Sequence, residues 1–443
     1  MNKQPDILIV GTGAAGLFCA LQFPTEISIL MITKEEAEQS DSFLAQGGIS
    51  TLKTPEDYDA YFEDTMKAGH YENNPQSVEV MIRTSPQIIT DLMGFGVEFE
   101  RDSDGMVYTR EGGHSENRIL YHKDVTGQEI TSKLLARVRE RPNITILEHT
   151  VLLDLVCDPK DLVCQGAVVR TAQGELEVIL AKTMVLATGG LGGLFQSSTN
   201  FPHITGDSLA IALRHHIALQ NIAYIQIHPT VLYSKKPGRR FLISESVRGE
   251  GAVLLNPNGE RFVDELLPRD VVTKAIREEM EKFHTDHVEL SVAHLGKETI
   301  QDRFPNIYQK CLEEGYDITK EPVPVAPAQH YFMGGIPVDL QSKTSMEHLY
   351  AVGEVSCNGV HGSNRLASNS LLESLVFAQR AAEQIQVELA RQEEADKMPA
   401  VDLTAYADQE GLEQQYRHLI LEEIKRKDRN FYDQWCNDET THR

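Results

Sequence analysis

The chain has 443 residues, 41% hydrophobic and 24% charged, which is the composition of an ordinary globular protein and ample length to bury a large core. With 42 Lys and Arg against 66 Asp and Glu, the net charge of −24 repels phosphate backbones and excludes nucleic acid as the expected partner. No apolar stretch reaches the length of a membrane-spanning helix, and the six cysteines form no CxxC motif or Cys/His cluster, so neither a metal site nor a disulfide framework is expected and the protein reads as soluble and cytoplasmic.

Ile7-Leu8-Ile9-Val10 is a wholly apolar run of the kind found in a parallel strand buried on both faces, and Gly11-Thr12-Gly13-Ala14-Ala15-Gly16 follows it at once. A helix through about Phe23 and a strand from Ile27 to Thr33 complete a βαβ unit. A GxGxxG between strand and helix marks a dinucleotide site, because the glycines turn the chain tightly and bring backbone N–H groups and a helix N-terminus against a pyrophosphate. The ribose-binding acidic residue belongs about 20 residues on, where Thr33-Lys34-Glu35 stands. Lys34 and Glu35 are the candidates there, with a solvated loop charge as the competing reading of Lys34.

Further along, Val151–Leu155, Val163–Arg170 and Glu175–Leu180 suggest a small antiparallel meander. A buried strand from Met184 to Ala187 runs into Thr188-Gly189-Gly190, and another, Leu349 to Val352, runs into Gly353-Glu354 ahead of a helix from Ser370 to about Arg391. Between Asn221 and Pro337 the character changes to mixed strands, helices and loops, the Pro-rich Glu321–Pro327 among the loops. After Glu393 a polar linker leads to a docking helix with Leu412, Tyr416, Leu419, Ile420 and Ile424 on one face. The expected fold class is α/β: a discontinuous Rossmann-like nucleotide-binding domain (1–220 and 338–392), an inserted α+β capping domain (221–337) and a C-terminal helical segment (393–443).

The segments GTGAAG, SDSFLAQGGI, LATGG and YAVGE, in this order, resemble the flavoprotein family of succinate dehydrogenases, fumarate reductases and L-aspartate oxidases. Gln226-Ile227-His228-Pro229-Thr230, Glu245–Gly251, Pro268-Arg269-Asp270, His330–Gly335 and His361–Leu371 extend the resemblance over nearly the whole chain. It implies FAD as cofactor, with Gly11, Gly13, Ala14, Ala15 and Gly16 at the pyrophosphate and Lys34 near the adenosine. Ser40, Ser42, Ala45, Gln46, Gly47 and Gly48 would line the isoalloxazine, joined by Val151, Gly189 and Asp207. Glu354 would hold sugar hydroxyls, and Ser370 and Leu371 would close the pyrimidine side. Respiratory members attach FAD through a histidine before AQGGI; Asp41, Ser42, Phe43 and Leu44 stand there, which implies noncovalent FAD.

A four-carbon dicarboxylate carries two anions that need fixed cationic and hydrogen-bonding partners. The resemblance assigns that work to His228, Gln226, Ser244, Arg248, His330 and Arg365. It gives Arg269 the acid/base role, relayed by Glu245 and Arg248; a guanidinium stays protonated and suits the acid better than the base. Arg248, close to Glu245 and Glu250, also reads as a structural ion pair. In amine oxidation an anion must face the α-ammonium, and Glu111 in Glu111-Gly112-Gly113-His114-Ser115 is the candidate, against an exposed loop residue paired with Arg110. Succinate dehydrogenases carry an aromatic residue at that position, so this form looks like the L-aspartate oxidases. It implies oxidation of L-aspartate to iminoaspartate, with electrons passed to O2 or fumarate, and a contact with quinolinate synthase on the route to NAD. The alternatives are a soluble fumarate reductase or succinate dehydrogenase flavoprotein and a flavin-binding scaffold without turnover. Family members usually continue further with a three-helix domain, so the C-terminal segment reads as shortened.

Overall fold

The computed structural model describes residues 4–158, 163–391 and 401–436. In chain order its main elements begin with β1 (Ile7–Val10), α1 (Ala14–Leu21), β2 (Ile29–Ile32), α2 (Tyr58–Ala68), α3 (Pro75–Gly94), α4 (Thr126–Glu140) and β3 (Ile144–Leu147). There follow β4 (Val151–Asp158), β5 (Val163–Arg170), β6 (Leu176–Leu180), β7 (Thr183–Leu186) and α5 (Asp207–Arg214). A second lobe carries β8 (Ile225–Leu232), α6 (Glu245–Gly249), β9 (Val253–Leu255), α7 (Arg269–Phe283), β10 (Val288–Ser291), α8 (Lys297–Arg303), α9 (Pro305–Glu313) and β11 (Val323–Phe332). The chain then returns to the first lobe with β12 (Leu349–Ala351), α10 (Asn369–Leu389), α11 (Gln409–Lys427) and α12 (Arg429–Trp435).

The first lobe is built on a five-stranded sheet in the order β12-β7-β1-β2-β3, every pair parallel. Alternation along β1 divides its apolar residues between two cores. Ile7 and Ile9 pack with α1, α3, α4 and α10, whereas Leu8 and Val10 pack with the antiparallel meander β4-β5-β6, α5 and α11. Burial on both faces explains why these strands are apolar throughout. All the β1 connections end at the same edge, so Gly11–Gly16, Thr188-Gly189 and Gly353-Glu354 meet at the carboxyl ends of adjacent strands, where open α/β sheets bind ligands.

The second lobe has an antiparallel sheet β8-β11-β10-β9 and a core of its own from Leu232 to Val325. Here the Pro-rich stretch departs from the expected loop and forms β11. Pro327 falls where β8 bulges between His228 and Val231, a place where a strand tolerates a residue without an N–H, and Pro324 still offers its carbonyl to the Tyr233 N–H at 3.0 Å. The C-terminal helix forms as expected, burying Leu412, Tyr416, Ile420 and Ile424 while Leu419 is half-buried; the linker expected after Glu393 lies outside the described residues as far as residue 400. A further helix, α12, follows Asp428, whose side chain accepts from the Phe431 N–H. Among the described residues no helix is long and apolar enough to cross a membrane, and no cluster of His, Cys, Asp or Glu could hold a metal ion.

Candidate active site

A single cavity of about 1710 Å3, including its open mouth, runs from the β1–α1 turn to the junction of the two lobes. Its wall includes both the glycine turn after β1 and side chains of the second lobe, a span that suits a dinucleotide with a substrate beside it. At one end Gly13 starts α1 without a side-chain cap, leaving the helix N-terminus facing the cavity. Gly11 has φ 112°, and a Cβ there would lie 2.1 Å from the Ala187 carbonyl oxygen, so only glycine turns β1 into this helix.

Buried polar atoms along the wall lack protein partners: Ser40 Oγ, Asp41 Oδ2, Gln46 Oε1 and Asn200 Oδ1. Buried polar groups are ordinarily satisfied, so this row fits a polar ligand such as a flavin dinucleotide. Burial pushes Glu354 up to about 8, with the nearby Asp41 charge adding to the rise, and its Oε1 accepts from the Phe332 N–H at 2.8 Å. Asp41 is pushed up by burial to about 7. Lys34 lines the cavity but spends its charge within the protein, reaching Asp207 at 2.8 Å and Thr205 Oγ1 at 3.0 Å.

At the other end the groups that could take carboxylates converge from both lobes. His228 Nδ1 accepts from the Thr230 N–H at 3.2 Å, so its proton sits on Nε2, which has no protein partner. Burial, with Arg269 and His330 beside it, keeps this imidazole well below its ordinary pKa and therefore neutral. His330 is held neutral by burial and by Arg269, with its ring 5.1 Å from His228 centroid to centroid. Ser244, the N-cap of α6, accepts from Ser246 N and from Ser246 Oγ, which leaves its own hydroxyl proton to donate.

Two arginines face these groups. Arg269, the first residue of α7, donates through Nε to Glu245 at 2.5 Å and through Nη1 to Gln226 Oε1 at 2.8 Å. Arg365 donates through Nε to the same Gln226 oxygen at 3.3 Å and through Nη1 to Ser370 at 2.8 Å, and lies over the Tyr331 ring at 4.4 Å. Burial, then Arg269, lowers Arg365 to about 10, so it remains cationic at neutral pH. Burial alone would raise Glu245, but Arg269 and Arg248 together hold its carboxyl below the usual range.

Glu111 completes the ring. It is 4% exposed, which removes the exposed-loop reading, and its Oε2 accepts from Ser368 Oγ at 2.7 Å. Burial and the neighbouring Glu245 raise its pKa. The glycines beside both carboxylates make room for them: a Cβ on Gly47 would come within 2.7 Å of Glu111 Oε1, and one on Gly112 within 2.4 Å of Glu245 Oε1. The loop is fastened from below by Arg118, fully buried between Asp57 and Asp64, which also donates to His114 Nδ1 at 3.2 Å.

Of the residues expected from sequence, the structure brings all but four to the cavity wall. Ala14 and Gly16 face inward along α1, Ala14 using its N–H on Ser42 Oγ at 3.2 Å. Gln226 stands behind the wall, its Oε1 shared by both arginines and its Nε2 donating to Asn364 Oδ1 and the Arg365 carbonyl, each at 2.9 Å, so it orients the arginines instead of reaching a ligand. Arg248 is 1% exposed behind Glu245, 3.4 Å from its carboxylate, and donates to the Glu265 carbonyl, so it stands off the cavity wall. Sequence reasoning missed Asp41, Arg239, Tyr331 and Ser368 on the wall. Tyr331 and Ser368 lie inside the quoted motifs HYFMGG and HGSNRLASNSL, which was the available signal; for Arg239 there was none beyond a basic loop.

A family model described as FAD binding domain matches residues 6–371. A protein of Clostridium perfringens named L-aspartate oxidase is 54% identical over 386 residues, 87% of either chain, so the two have the same length. One of Clostridium acetobutylicum with the same name is 50% identical over 87% of this chain and 88% of its own. Among solved structures, the FrdA chain of E. coli quinol fumarate reductase superposes with a TM-score of 0.82 at 32% identity, covering 93% of this chain and 74% of that one.

Proposed function

Because the chain belongs to the L-aspartate oxidase family and is an FAD-dependent oxidoreductase, we propose that the residues around this cavity oxidise L-aspartate to iminoaspartate. FAD would be held along Gly11–Gly13, Ala15, Lys34, Ser40, Ser42, Ala45–Gly48, Val151, Gly189, Asp207, Glu354, Ser370 and Leu371, where it would supply the hydride acceptor. The two substrate carboxylates are held by Arg365, Arg269, the Nε2–H of His228, the hydroxyl of Ser244 and His330. Planar guanidinium forks suit carboxylates, and neutral imidazoles add donors without further crowding of positive charge.

Glu111 carries the choice of an amine substrate. Of the two carboxylates at this end of the cavity, Glu245 is paired with Arg269 and Arg248, whereas Glu111 accepts a hydrogen bond from Ser368 and forms no ion pair among the described residues, so it is free to face the α-ammonium. A C–H bond next to an ammonium does not release hydride, and Glu111, with its raised proton affinity, is placed to take the proton that frees the amine lone pair. Glu245 stays ionised against Arg269 and fixes that guanidinium. Fumarate fits the same pair of carboxylate sites, and there Arg269 donates the proton to the alkene carbon. Electrons thus leave to O2, giving hydrogen peroxide, or to fumarate, giving succinate. We take the FAD as noncovalent, since Asp41 stands where the respiratory relatives' histidine would, and place the enzyme in the cytoplasm, feeding quinolinate synthase for NAD synthesis.

The test is steady-state turnover in air by the purified flavoprotein. L-aspartate should release hydrogen peroxide together with oxaloacetate and ammonia from the hydrolysed imine, and acid precipitation should leave the flavin in solution. Peroxide or dye reduction with succinate and none with L-aspartate would contradict the proposal.

A further inference from the structure

Arg269 and Arg365 reach the substrate from different lobes, so their relative placement depends on what joins the lobes just outside the site. His70 stands at that junction. It follows α2 in a turn where His70 and Tyr71 both adopt left-handed backbone, φ 56° and 59°, a conformation costly for residues that carry a side chain. The turn is fixed by Tyr71 N donating to the Met66 carbonyl at 2.8 Å and His70 N to the Lys67 carbonyl at 3.1 Å.

The strained turn supports the loop that bears Arg365. Ser363 N donates to the Gly69 carbonyl at 3.3 Å and Asn364 Nδ2 to the Ala68 carbonyl at 3.1 Å, and a Cβ on Gly362 would meet the Gly69 oxygen at 2.3 Å. From this turn the imidazole spans the two lobes. Nδ1 lies 3.2 Å from Ser363 Oγ, two residues before Arg365, and Nε2 lies 3.4 Å from Asp270 Oδ2, the residue after Arg269.

The Ser363 hydroxyl has one proton and gives it to Glu72 Oε1 at 3.1 Å, so it accepts from His70 Nδ1. Asp270 accepts at Nε2. The ring therefore ties a carboxylate of α7 to the loop that bears Arg365. The titratable groups around it are Asp270 from α7, Glu72 from its own turn, and Tyr224, whose hydroxyl donates to Glu72; the Tyr71 hydroxyl is turned to Glu63.

We propose that His70 is a positioning residue: its ring bridges Asp270 and Ser363 and holds the arginines of the two lobes at the spacing a dicarboxylate needs. This deepens the proposed function, since it concerns the same dicarboxylate site. The bridge is half-exposed, its side chains 46% and 44% accessible, so a modest effect is expected.

The test uses FAD-loaded wild type, His70→Ala, Asp270→Asn and the double variant. Dissociation constants for malonate, which carries two carboxylates and cannot be dehydrogenated, are read from the flavin spectrum, with kcat/KM for L-aspartate alongside. Wild type should bind malonate roughly two- to fivefold more tightly than either single variant. The double variant should be no worse than the singles. Single variants that bind malonate as tightly as wild type, or additive losses, would overturn the bridge. Because malonate binding is read without turnover, this outcome is separate from whether L-aspartate is the substrate.

Discussion

Exchange of Glu111 for Gln tests the substrate assignment with the least disturbance of shape. The amide keeps the volume beside Gly47 and still accepts from Ser368 Oγ, whose bond to the carboxylate is 2.7 Å, but it removes the charge that faces the α-ammonium. A hydrogen bond to a charged group contributes about 1.5–3 kcal/mol, so kcat/KM for L-aspartate should fall roughly 10- to 150-fold. Fumarate has no cation at that position, and removing a buried negative charge next to Glu245 leaves its reduction within about threefold of wild type. The assays are peroxide release with L-aspartate and anaerobic fumarate reduction by chemically reduced enzyme. A thermal melt controls for folding: burial raises the Glu111 pKa, so its ionisation costs stability as pH rises through the folded-state value, and the variant should melt at or above wild type at alkaline pH. Equal loss of both activities would show that Glu111 serves the fold or the chemistry in general and would refute its role in selecting an amine.

Arg269→Lys keeps the charge but cannot reach both Glu245 at 2.5 Å and Gln226 at 2.8 Å, so kcat should drop at least about 100-fold in both directions while FAD content stays unchanged. Gln226→Leu leaves both arginines without their shared acceptor; a cost of about 1–3 kcal/mol predicts a loss of roughly 5- to 150-fold in kcat/KM for L-aspartate and for fumarate alike, checked by steady-state kinetics. Gly11→Ala places a Cβ 2.1 Å from the Ala187 oxygen at φ 112°, and the purified variant should carry little flavin, measured as its visible absorbance per protein. Burial raises Asp41 to about 7 and Glu354 to about 8, both above their unfolded values, so the FAD-free protein should lose stability as pH climbs from about 4 to about 8. Melting temperatures across that range check it, and a rising curve would contradict the assignment of these two carboxylates.

The parts of this molecule legible from sequence are those where local pattern and global fold agree. Ile7–Val10 followed by Gly11–Gly16 reads correctly because a doubly buried strand and a glycine turn are both written within ten residues. The Pro-rich 321–327 segment was misread because the bulge that accommodates Pro327 is contributed by β8, a strand remote in sequence. Gln226 and Arg248 were grouped with ligand-binding residues because spacing shows which side chains come together but not which stand behind the wall. Asp41 and Arg239 went unnoticed for the related reason that a buried, partly paired charge is a property of the assembled cavity. Lys34 and Asp207 were each assigned to the cofactor, and only the fold shows that they also pair with one another at 2.8 Å.

Anaerobic mixing of the FAD-loaded protein with L-aspartate, and separately with succinate, reads the reductive half of the reaction directly. The visible flavin band should bleach with L-aspartate, stay with succinate, and return when air or fumarate is added. Bleaching by succinate with none by L-aspartate would contradict the account and move the chemistry of this cavity to dicarboxylate dehydrogenation.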